Sequence, residues 1–206
     1  MRVKNRTTTI AATLLLAAVA SAAIADDDVA TIVMTTGVGD IEIELYPGKA
    51  PLTAGNFLEL VDGGHLDGST FYRVVTHEND NGNPKIEVIQ GGLGDENLSP
   101  FEPIGHETTE QTGILHTDGV ISMARGDVGT ASSEFFICIG DQPGLDYGEV
   151  RNPDRQGFAA FGKVVSGMDV VRRIDRLPAD APSDSAYTEG QILTDPVPIV
   201  SVRRKD

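Results

Sequence analysis

The sequence predicts a mainly β fold: a closed eight-stranded antiparallel β-barrel capped by two α-helices, in one domain. Three observations support this prediction. The 206 residues include 23 glycines and 11 prolines, which is typical of a chain with many turns. Short β-branched and apolar runs follow one another, whereas two segments carry apolar residues at helical spacing. A hydrophobic content of 40% is sufficient for a buried core.

The first predicted element is a hairpin over residues 30–46, in which a β-branched strand, a glycine-rich turn and an alternating strand follow in order. A helix is predicted over residues 50–64, because its apolar residues lie on one side and two glycines end it. A second helix is predicted over residues 166–177, with Ser166 and Asp169 as a capping box.

The other strands are predicted from short apolar runs at residues 71–75, 86–89, 120–123, 135–139, 158–165 and 199–202. The polar or turn-rich segments between them are predicted to be loops: 76–85, 93–115, 140–156 and 179–195. Together with the hairpin, these strands close most simply into a barrel with helical caps.

The first 25 residues have the features of a secretory signal peptide. Three basic residues precede an apolar run over residues 10–20, and Ala-Ile-Ala at 23–25 fits the small-residue cleavage pattern. We therefore expect removal of residues 1–25, a domain over residues 26–206, and a location in the periplasm or outside the cell. An uncleaved membrane anchor is the alternative, but the run is short beside the roughly 20 apolar residues that a span needs.

Composition argues against several classes of function. With 16 Lys and Arg against 31 Asp and Glu, the chain has a net charge of −15, so we expect no nucleic-acid partner and no membrane partner after signal cleavage. One cysteine, Cys138, excludes an internal disulfide and multi-cysteine metal sites. The histidines lack the spacing of a zinc enzyme, and no Gly-x-Ser-x-Gly sequence occurs. We expect no metal and no cofactor.

Six short motifs carry more information than composition does. They are Phe-Tyr-Arg-Val-Val at 71–75, Gln-Gly-Gly at 90–92, Ile-Ser-Met-Ala-Arg at 121–125, Ser-Glu-Phe-Phe-Ile at 133–137, Phe-Ala-Ala-Phe-Gly-Lys-Val at 158–164 and Gly-Met-Asp-Val-Val at 167–171. In this order the chain resembles the cyclophilin-type peptidyl-prolyl cis–trans isomerases, notably the exported bacterial ones. The resemblance implies their barrel fold and an enzyme that accelerates rotation of Xaa-Pro bonds in exported proteins during folding.

The resemblance also implies site residues. Arg73 matches the catalytic arginine, which would donate a hydrogen bond to the prolyl nitrogen, and Gln90 matches the glutamine that holds it. The residues implied in substrate binding are Phe136 on the floor of an apolar proline pocket, Val88 and Leu145 on its walls, Phe158 at its edge, Ala124 and Arg125 beside the substrate backbone, and Glu134. Expected partners are proline-containing polypeptides or unfolded exported proteins, and the expected state is a monomer.

The sequence departs from the family pattern beside the expected pocket. Arg73 and Gln90 are 17 residues apart, a longer spacing than in relatives, and segment 76–85 is the insertion. Glu87 occupies the position of a pocket phenylalanine, unless a shifted strand lets Ile86 supply that apolar surface.

Two further positions differ. Glu134 stands where many relatives have glutamine; because an ionised carboxylate only accepts hydrogen bonds, we expect it to tune substrate preference. Gly144 stands where eukaryotic relatives often have tryptophan. The departures leave an alternative open: a proline-peptide-binding or chaperone module with low isomerase activity. Since strand side chains alternate, Phe135 is expected to point into the barrel and Phe136 away from it.

Overall fold

The computed structural model describes residues 28–205, so the predicted signal peptide at 1–25 lies outside the described residues. Over residues 28–205 the strands are β1 (Ala30–Thr36), β2 (Gly39–Leu45), β3 (Thr70–Val75), β4 (Val88–Gly92), β5 (Val120–Met123), β6 (Phe135–Cys138), β7 (Ala159–Ser166) and β8 (Ile192–Arg204). The helices in the same range are α1 (Pro51–Asp62), the single turn α2 (Thr109–Thr112) and α3 (Met168–Asp175).

The strands form a closed barrel in the order β1-β2-β7-β5-β6-β4-β3-β8, with β8 paired to β1. Every pairing is antiparallel. Helix α1 packs against β7 and β8, while α3 packs against β2, β3 and β4. The predicted eight-stranded antiparallel barrel with two capping helices is therefore confirmed.

Apolar side chains that alternate along the strands fill the barrel. Ile41, Ile43 and Leu45 on β2 are fully buried, whereas the acidic residues between them are not. Four phenylalanines from α1, β3, β6 and β7 meet at the centre: Phe57, Phe71, Phe135 and Phe161. The rings of Phe57 and Phe135 are 5.4 Å apart and nearly perpendicular, an edge-to-face arrangement that aromatic quadrupoles favour.

Strand β6 separates this interior from a second apolar cluster on the outer wall of the barrel. Phe135 and Ile137 belong to the central core, whereas Phe136 and Cys138 belong to the outer cluster. The expected opposite orientations of Phe135 and Phe136 are confirmed. The outer cluster also contains Val75, Ile86, Val88 and Leu145, and it forms the base of the cavity described below.

Two local predictions about helices are wrong. Helix α3 begins after Gly167, which takes a left-handed conformation at φ 91° and provides no side-chain cap, while Ser166 is the last residue of β7. A capping box exists instead at α2, inside the segment 93–115 that was predicted to be a loop. There the Thr108 hydroxyl accepts from the Gln111 N–H, and the Gln111 side chain accepts from the Thr108 N–H.

The predicted and observed strand bounds differ most at the C-terminal strand. Strand β8 begins at Ile192, inside the segment 179–195 that was predicted to be a loop, and it contains Pro196 and Pro198. Strand β4 begins at Val88 and includes the Gln-Gly-Gly sequence that was expected to end it. Within the described part of the chain, no helix is long and apolar enough to cross a membrane.

Candidate active site

A cavity of about 380 Å³ lies on the outer wall of the barrel, above β3, β4 and β6. Its apolar lining residues are Val75, Ile86, Val88, Ala124, Phe136, Leu145, Pro153 and Phe158. Its polar lining residues are Arg73, Gln90, Arg125, Arg151, Asn152 and Tyr187. The structure thus brings together every residue of the sequence prediction except Glu134, which is absent from this lining.

Phe136 forms the floor of the apolar part. The Phe158 ring meets it at 90°, with 5.3 Å between the ring centroids. On its other side the His116 ring is stacked on Phe136 at 6.0 Å and 17°. Since Val88 and Leu145 are also buried against it, Phe136 has a fixed orientation. The result is a small apolar pocket with aromatic walls, which suits a saturated five-membered ring.

Arg73 stands at the rim of this pocket and is held from two sides. Its Nη1 donates to Gln90 Oε1 at 2.8 Å. Its Nε and Nη2 both donate to Gln191 Oε1, at 2.9 and 2.5 Å. The guanidinium carbon also lies 5.6 Å from the Tyr187 ring centroid. Burial lowers the pKa of Arg73 from its ordinary value, but a guanidinium remains charged at any physiological pH.

Gln90 is itself oriented by a chain of hydrogen bonds that leads to Glu134. Gln90 Nε2 donates to the Tyr72 hydroxyl at 2.8 Å, and this hydroxyl donates to Glu134 Oε2 at 2.6 Å. Glu134 Oε1 accepts from the Gly94 N–H at 3.0 Å. An ionised carboxylate only accepts hydrogen bonds, so the Tyr72 hydroxyl must donate to Glu134 and must accept from Gln90 Nε2. The other amide atom of Gln90, Oε1, therefore faces Arg73.

Glu134 therefore lies behind the cavity and does not line it, unlike the other residues expected to bind substrate. Its side chain is buried under Gly92, where a Cβ would meet the carboxylate at 2.7 Å. Burial raises the pKa of Glu134 above its usual range, although hydrogen bonds from Tyr72 and Gly94 oppose the shift. Glu134 precedes β6, and hydrogen bonds from the Tyr72 hydroxyl and the Gly94 N–H hold its carboxylate away from the cavity that Phe136 faces.

The insertion at 76–85 forms one wall of the cavity. Asp80 and Arg151 make a buried two-pronged ion pair, with Nη1–Oδ2 at 2.6 Å and Nη2–Oδ1 at 2.9 Å. Arg151 also donates to the Pro84 carbonyl and to the Tyr187 hydroxyl. Burial disfavours ionisation of Asp80, but the hydrogen bonds from Arg151 and two backbone N–H groups outweigh it and lower its pKa. This clasp joins three loops that are distant in sequence.

A known protein family matches nearly the whole described part of the chain. Residues 31–204 match the family model described as cyclophilin type peptidyl-prolyl cis-trans isomerase/CLD. The chain belongs to this family. Among similar proteins, a peptidyl-prolyl cis-trans isomerase of Acinetobacter baylyi is 35% identical over 178 residues, covering 84% of this chain and 85% of that protein. Peptidyl-prolyl cis-trans isomerase A of Dickeya dadantii is 34% identical over 149 residues, covering 71% of each.

A crystal structure of a Cryptosporidium parvum cyclophilin has the same fold, with a TM-score of 0.66 at 19% identity, covering 87% of this chain and 99% of that one. A second structure of the same cyclophilin, in the presence of the dipeptide Ala-Pro, gives a TM-score of 0.64 at 21% identity. The predicted family and the predicted enzyme class, peptidyl-prolyl isomerase, are confirmed.

In this cyclophilin Ile86, two residues before β4 begins, supplies apolar surface to the cavity. Ile86 lines the cavity, whereas Glu87 faces outward, 3.2 Å from His77 Nδ1. The insertion also fills the space beside Gly144, where a Cβ would come within 2.5 Å of Pro84 Cγ. The pocket is therefore complete, although its walls come from different segments than the family motif suggests.

Arg125 and Ala124 lie on the far side of the cavity. Arg125 is bound to Asp154 by two hydrogen bonds and to the Gly157 carbonyl, and its guanidinium carbon lies 5.3 Å from the Phe158 ring centroid. The Ala124 N–H donates to the Glu134 carbonyl at 2.8 Å. Arg125 thus orders the edge of the pocket, and Asp154 compensates the charge of its guanidinium.

A Ser-His-Asp arrangement lies beneath the floor. His116 Nδ1 is 2.7 Å from Asp146 Oδ1, and His116 Nε2 is 3.0 Å from Ser122 Oγ. Ser122 is 0% exposed and His116 is 1% exposed, so no substrate can reach the hydroxyl. The network supports the Phe136 ring from below. Cys138 is equally buried, and burial raises the pKa of its thiol, which agrees with a packing role.

Sequence reasoning missed the site residues Arg151, Asn152, Pro153, Tyr187 and Gln191. They lie in polar segments without periodicity, and the family motifs do not include them. Among the described residues, no group of three or more His, Cys, Asp or Glu side chains is arranged to hold a metal ion.

Proposed function

We propose that this cyclophilin accelerates rotation of Xaa-Pro bonds in exported proteins during folding, with Arg73 as hydrogen-bond donor to the prolyl nitrogen. The barrier to rotation is about 20 kcal/mol, because the peptide bond has partial double-bond character. Twisting the bond ends that resonance and leaves a lone pair on the nitrogen. A donor fixed at the nitrogen stabilises the twisted state more than either planar state, which is the requirement for catalysis.

The position of Arg73 is the observation that carries this proposal. Of its five N–H groups, three donate to Gln90 and Gln191, so one on Nη1 and one on Nη2 are left for a substrate beside the apolar pocket. The guanidinium is fixed before substrate arrives, and the transition state therefore gains its hydrogen bond without a further cost of ordering that side chain.

The other residues have supporting roles. Phe136, Val88, Leu145 and Phe158 bind the prolyl ring through apolar contact, and Ile86 completes their wall. In this proposal Ala124 and Arg125 border the substrate backbone, Gln90 holds Arg73, and Glu134 acts through Tyr72. No nucleophile and no proton transfer are needed, since no covalent bond is made or broken.

The substrates that we propose are proline-containing segments of unfolded exported proteins, and the protein acts as a monomer in the periplasm or outside the cell. The basic start, the apolar run over residues 10–20 and the Ala-Ile-Ala sequence at 23–25 support cleavage after residue 25. Mass spectrometry of the exported protein tests this point, and an intact Met1 would contradict it.

Exchange NMR on a peptide with one Ala-Pro bond tests the activity. We expect the purified protein to accelerate cis–trans exchange and Arg73→Ala to lose most of that acceleration. Binding of the peptide without acceleration would favour the alternative of a proline-peptide-binding or chaperone module. The outward position of Glu87 argues against that alternative, because the departure that suggested it does not alter the pocket.

A further inference from the structure

Arg73 differs from six of the eight other arginines among residues 28–205 in the charge of its partners. Six arginines each form an ion pair with an aspartate: Arg125, Arg151, Arg172, Arg173, Arg203 and Arg204. The side-chain acceptors of Arg73 among residues 28–205 are two neutral amides, Gln90 and Gln191. Although the chain has 31 acidic residues, the side chains that hold Arg73 do not neutralise its charge.

Gln191 is fixed as firmly as Arg73. It is 0% exposed, its N–H donates to the Thr188 carbonyl at 3.1 Å, and its carbonyl accepts from the Val74 N–H at 2.9 Å. Its side-chain Nε2 donates to the Asn79 carbonyl at 2.9 Å. Because the NH₂ group is used there, Oε1 must face Arg73.

The insertion at 76–85 supplies Asn79, the residue whose carbonyl accepts from Gln191 Nε2. Asn79 Oδ1 accepts from the Thr76 N–H at 2.7 Å, and Asn79 Nδ2 donates to the Val74 and Gly190 carbonyls. Asn79 therefore links the insertion to β3 and to the segment that precedes β8. The nearby carboxylate, Asp80, is bound to Arg151 and is not free to pair with Arg73.

We propose that Gln191 is a positioning residue that aims the Arg73 guanidinium without neutralising it, and that the insertion at 76–85 serves to seat Gln191. This inference rests on the proposed role of Arg73. A carboxylate at the same place would also accept from the guanidinium, but it would cancel much of the positive charge that stabilises the lone pair of the twisted bond. Two amides fix the direction and leave the charge available.

The decisive variant is Gln191→Glu, which has nearly the same shape and keeps an acceptor oxygen toward Arg73, although its second oxygen cannot donate to the Asn79 carbonyl. We expect kcat to fall about tenfold or more while KM changes by less than about threefold, because binding in the apolar pocket is unaffected. Gln191→Met, which fills the space without an acceptor, should also lower kcat. The matched control is Gln111→Glu in the α2 capping box, where glutamate also serves, and its kcat should equal that of the wild type.

A double-mutant cycle separates positioning from general stability. In the Arg73→Ala background, Gln191→Glu should produce no further loss of activity, since its effect acts through Arg73. Thermal unfolding of each variant shows whether the fold is retained. If Gln191→Glu unfolds, Gln191→Met provides the test, and wild-type kcat in it overturns the inference.

The outcomes also separate the inference from the proposed function. Loss of activity in Arg73→Ala together with wild-type kcat in Gln191→Glu overturns the role of Gln191 and leaves the isomerase mechanism intact. Wild-type activity in Arg73→Ala overturns the proposed mechanism itself. An equal loss from Gln191→Glu with and without Arg73 overturns positioning, because the effect then does not pass through the guanidinium.

Discussion

Replacing Arg73 by alanine tests the mechanism most directly, and the structure indicates how large the effect should be. The variant removes the donors beside the pocket but leaves the apolar lining of Phe136, Val88 and Leu145 in place. Loss of one preorganised donor at a site of developing charge costs roughly 3–4 kcal/mol of transition-state stabilisation, a factor of about 10² to 10³ in kcat. We expect kcat to fall by that factor and peptide affinity to change little.

Stability should change less than activity. Arg73→Ala leaves the side-chain oxygens of Gln90 and Gln191 without their donor, which costs about 1–2 kcal/mol when the groups are buried. Arg73→Lys keeps the charge, but one ammonium cannot reproduce the planar fork that contacts both amides, so we expect intermediate activity. Arg172→Ala is the control, because Arg172 is half exposed and paired with Asp118 on the surface.

The assay is the exchange rate between cis and trans peptide, measured by NMR across a range of substrate concentrations so that kcat and KM are separated. Melting temperature is measured on the same samples. A kcat for Arg73→Ala within about threefold of the wild-type value, in a folded protein, would refute the reasoning, since the transition state would then not depend on the Arg73 donors.

Three further variants test the surroundings. Arg151→Met leaves the buried Asp80 charge without a cation, so urea unfolding should show a loss of about 3 kcal/mol. Asp175 has a pKa raised to about 6, chiefly by burial and also by nearby acidic charges, and its Oδ1 has no hydrogen-bond partner among the described residues. Asp175→Asn should therefore stabilise the protein by about 1 kcal/mol at pH 7, after discounting for partial exposure. In Glu134→Gln the side-chain amide has one oxygen, so it cannot replace both carboxylate oxygens that accept from Tyr72 and the Gly94 N–H. We therefore expect kcat to fall about threefold, with the order of preference among Xaa-Pro peptides unchanged.

Each of these three predictions can be contradicted by a specific result. Unchanged urea stability in Arg151→Met would mean that the ion pair contributes nothing to the fold. Because the folded-state pKa of Asp175 is raised, its ionisation destabilises the wild type as pH rises through about 6, and the two proteins should converge in stability below pH 4. A constant difference from pH 4 to pH 8 would contradict this origin. Altered peptide ranking in Glu134→Gln would restore direct substrate contact by Glu134.

The sequence alone predicted those parts of the molecule in which periodicity and burial agree. Alternation was enough to place Phe135 inside the barrel and Phe136 outside it, and the family motifs brought Arg73 and Gln90 to one cavity. The prediction placed the last strand at residues 199–202, whereas β8 begins at Ile192 and contains Pro196 and Pro198, residues that are uncommon inside a strand. In the barrel these positions are accommodated at irregular pairing, where the Pro198 carbonyl accepts from the Gly37 N–H.

The rest of the site depends on contacts between distant polar segments. Gln191 and Asn79 are 112 residues apart, and Arg151 and Asp80 are 71 apart. Each lies in a segment rich in turn-forming residues, where one polar side chain resembles another until the folded chain selects its partner. Hydrogen bonding of this kind has no period, so sequence patterning cannot reveal it.

The ion pair between Asp80 and Arg151 has a consequence for resistance to proteolysis. A polar loop such as 76–85 is a usual site of proteolytic nicking, because proteases bind an extended stretch of backbone. Here Asp80 is held by Arg151, and Asn81 Nδ2 donates to the Ala186, Tyr187 and Glu189 carbonyls. The loop is on the surface, yet a protease would first have to break the buried ion pair to straighten it. The contacts that shape this wall of the cavity should therefore also protect the chain from cleavage.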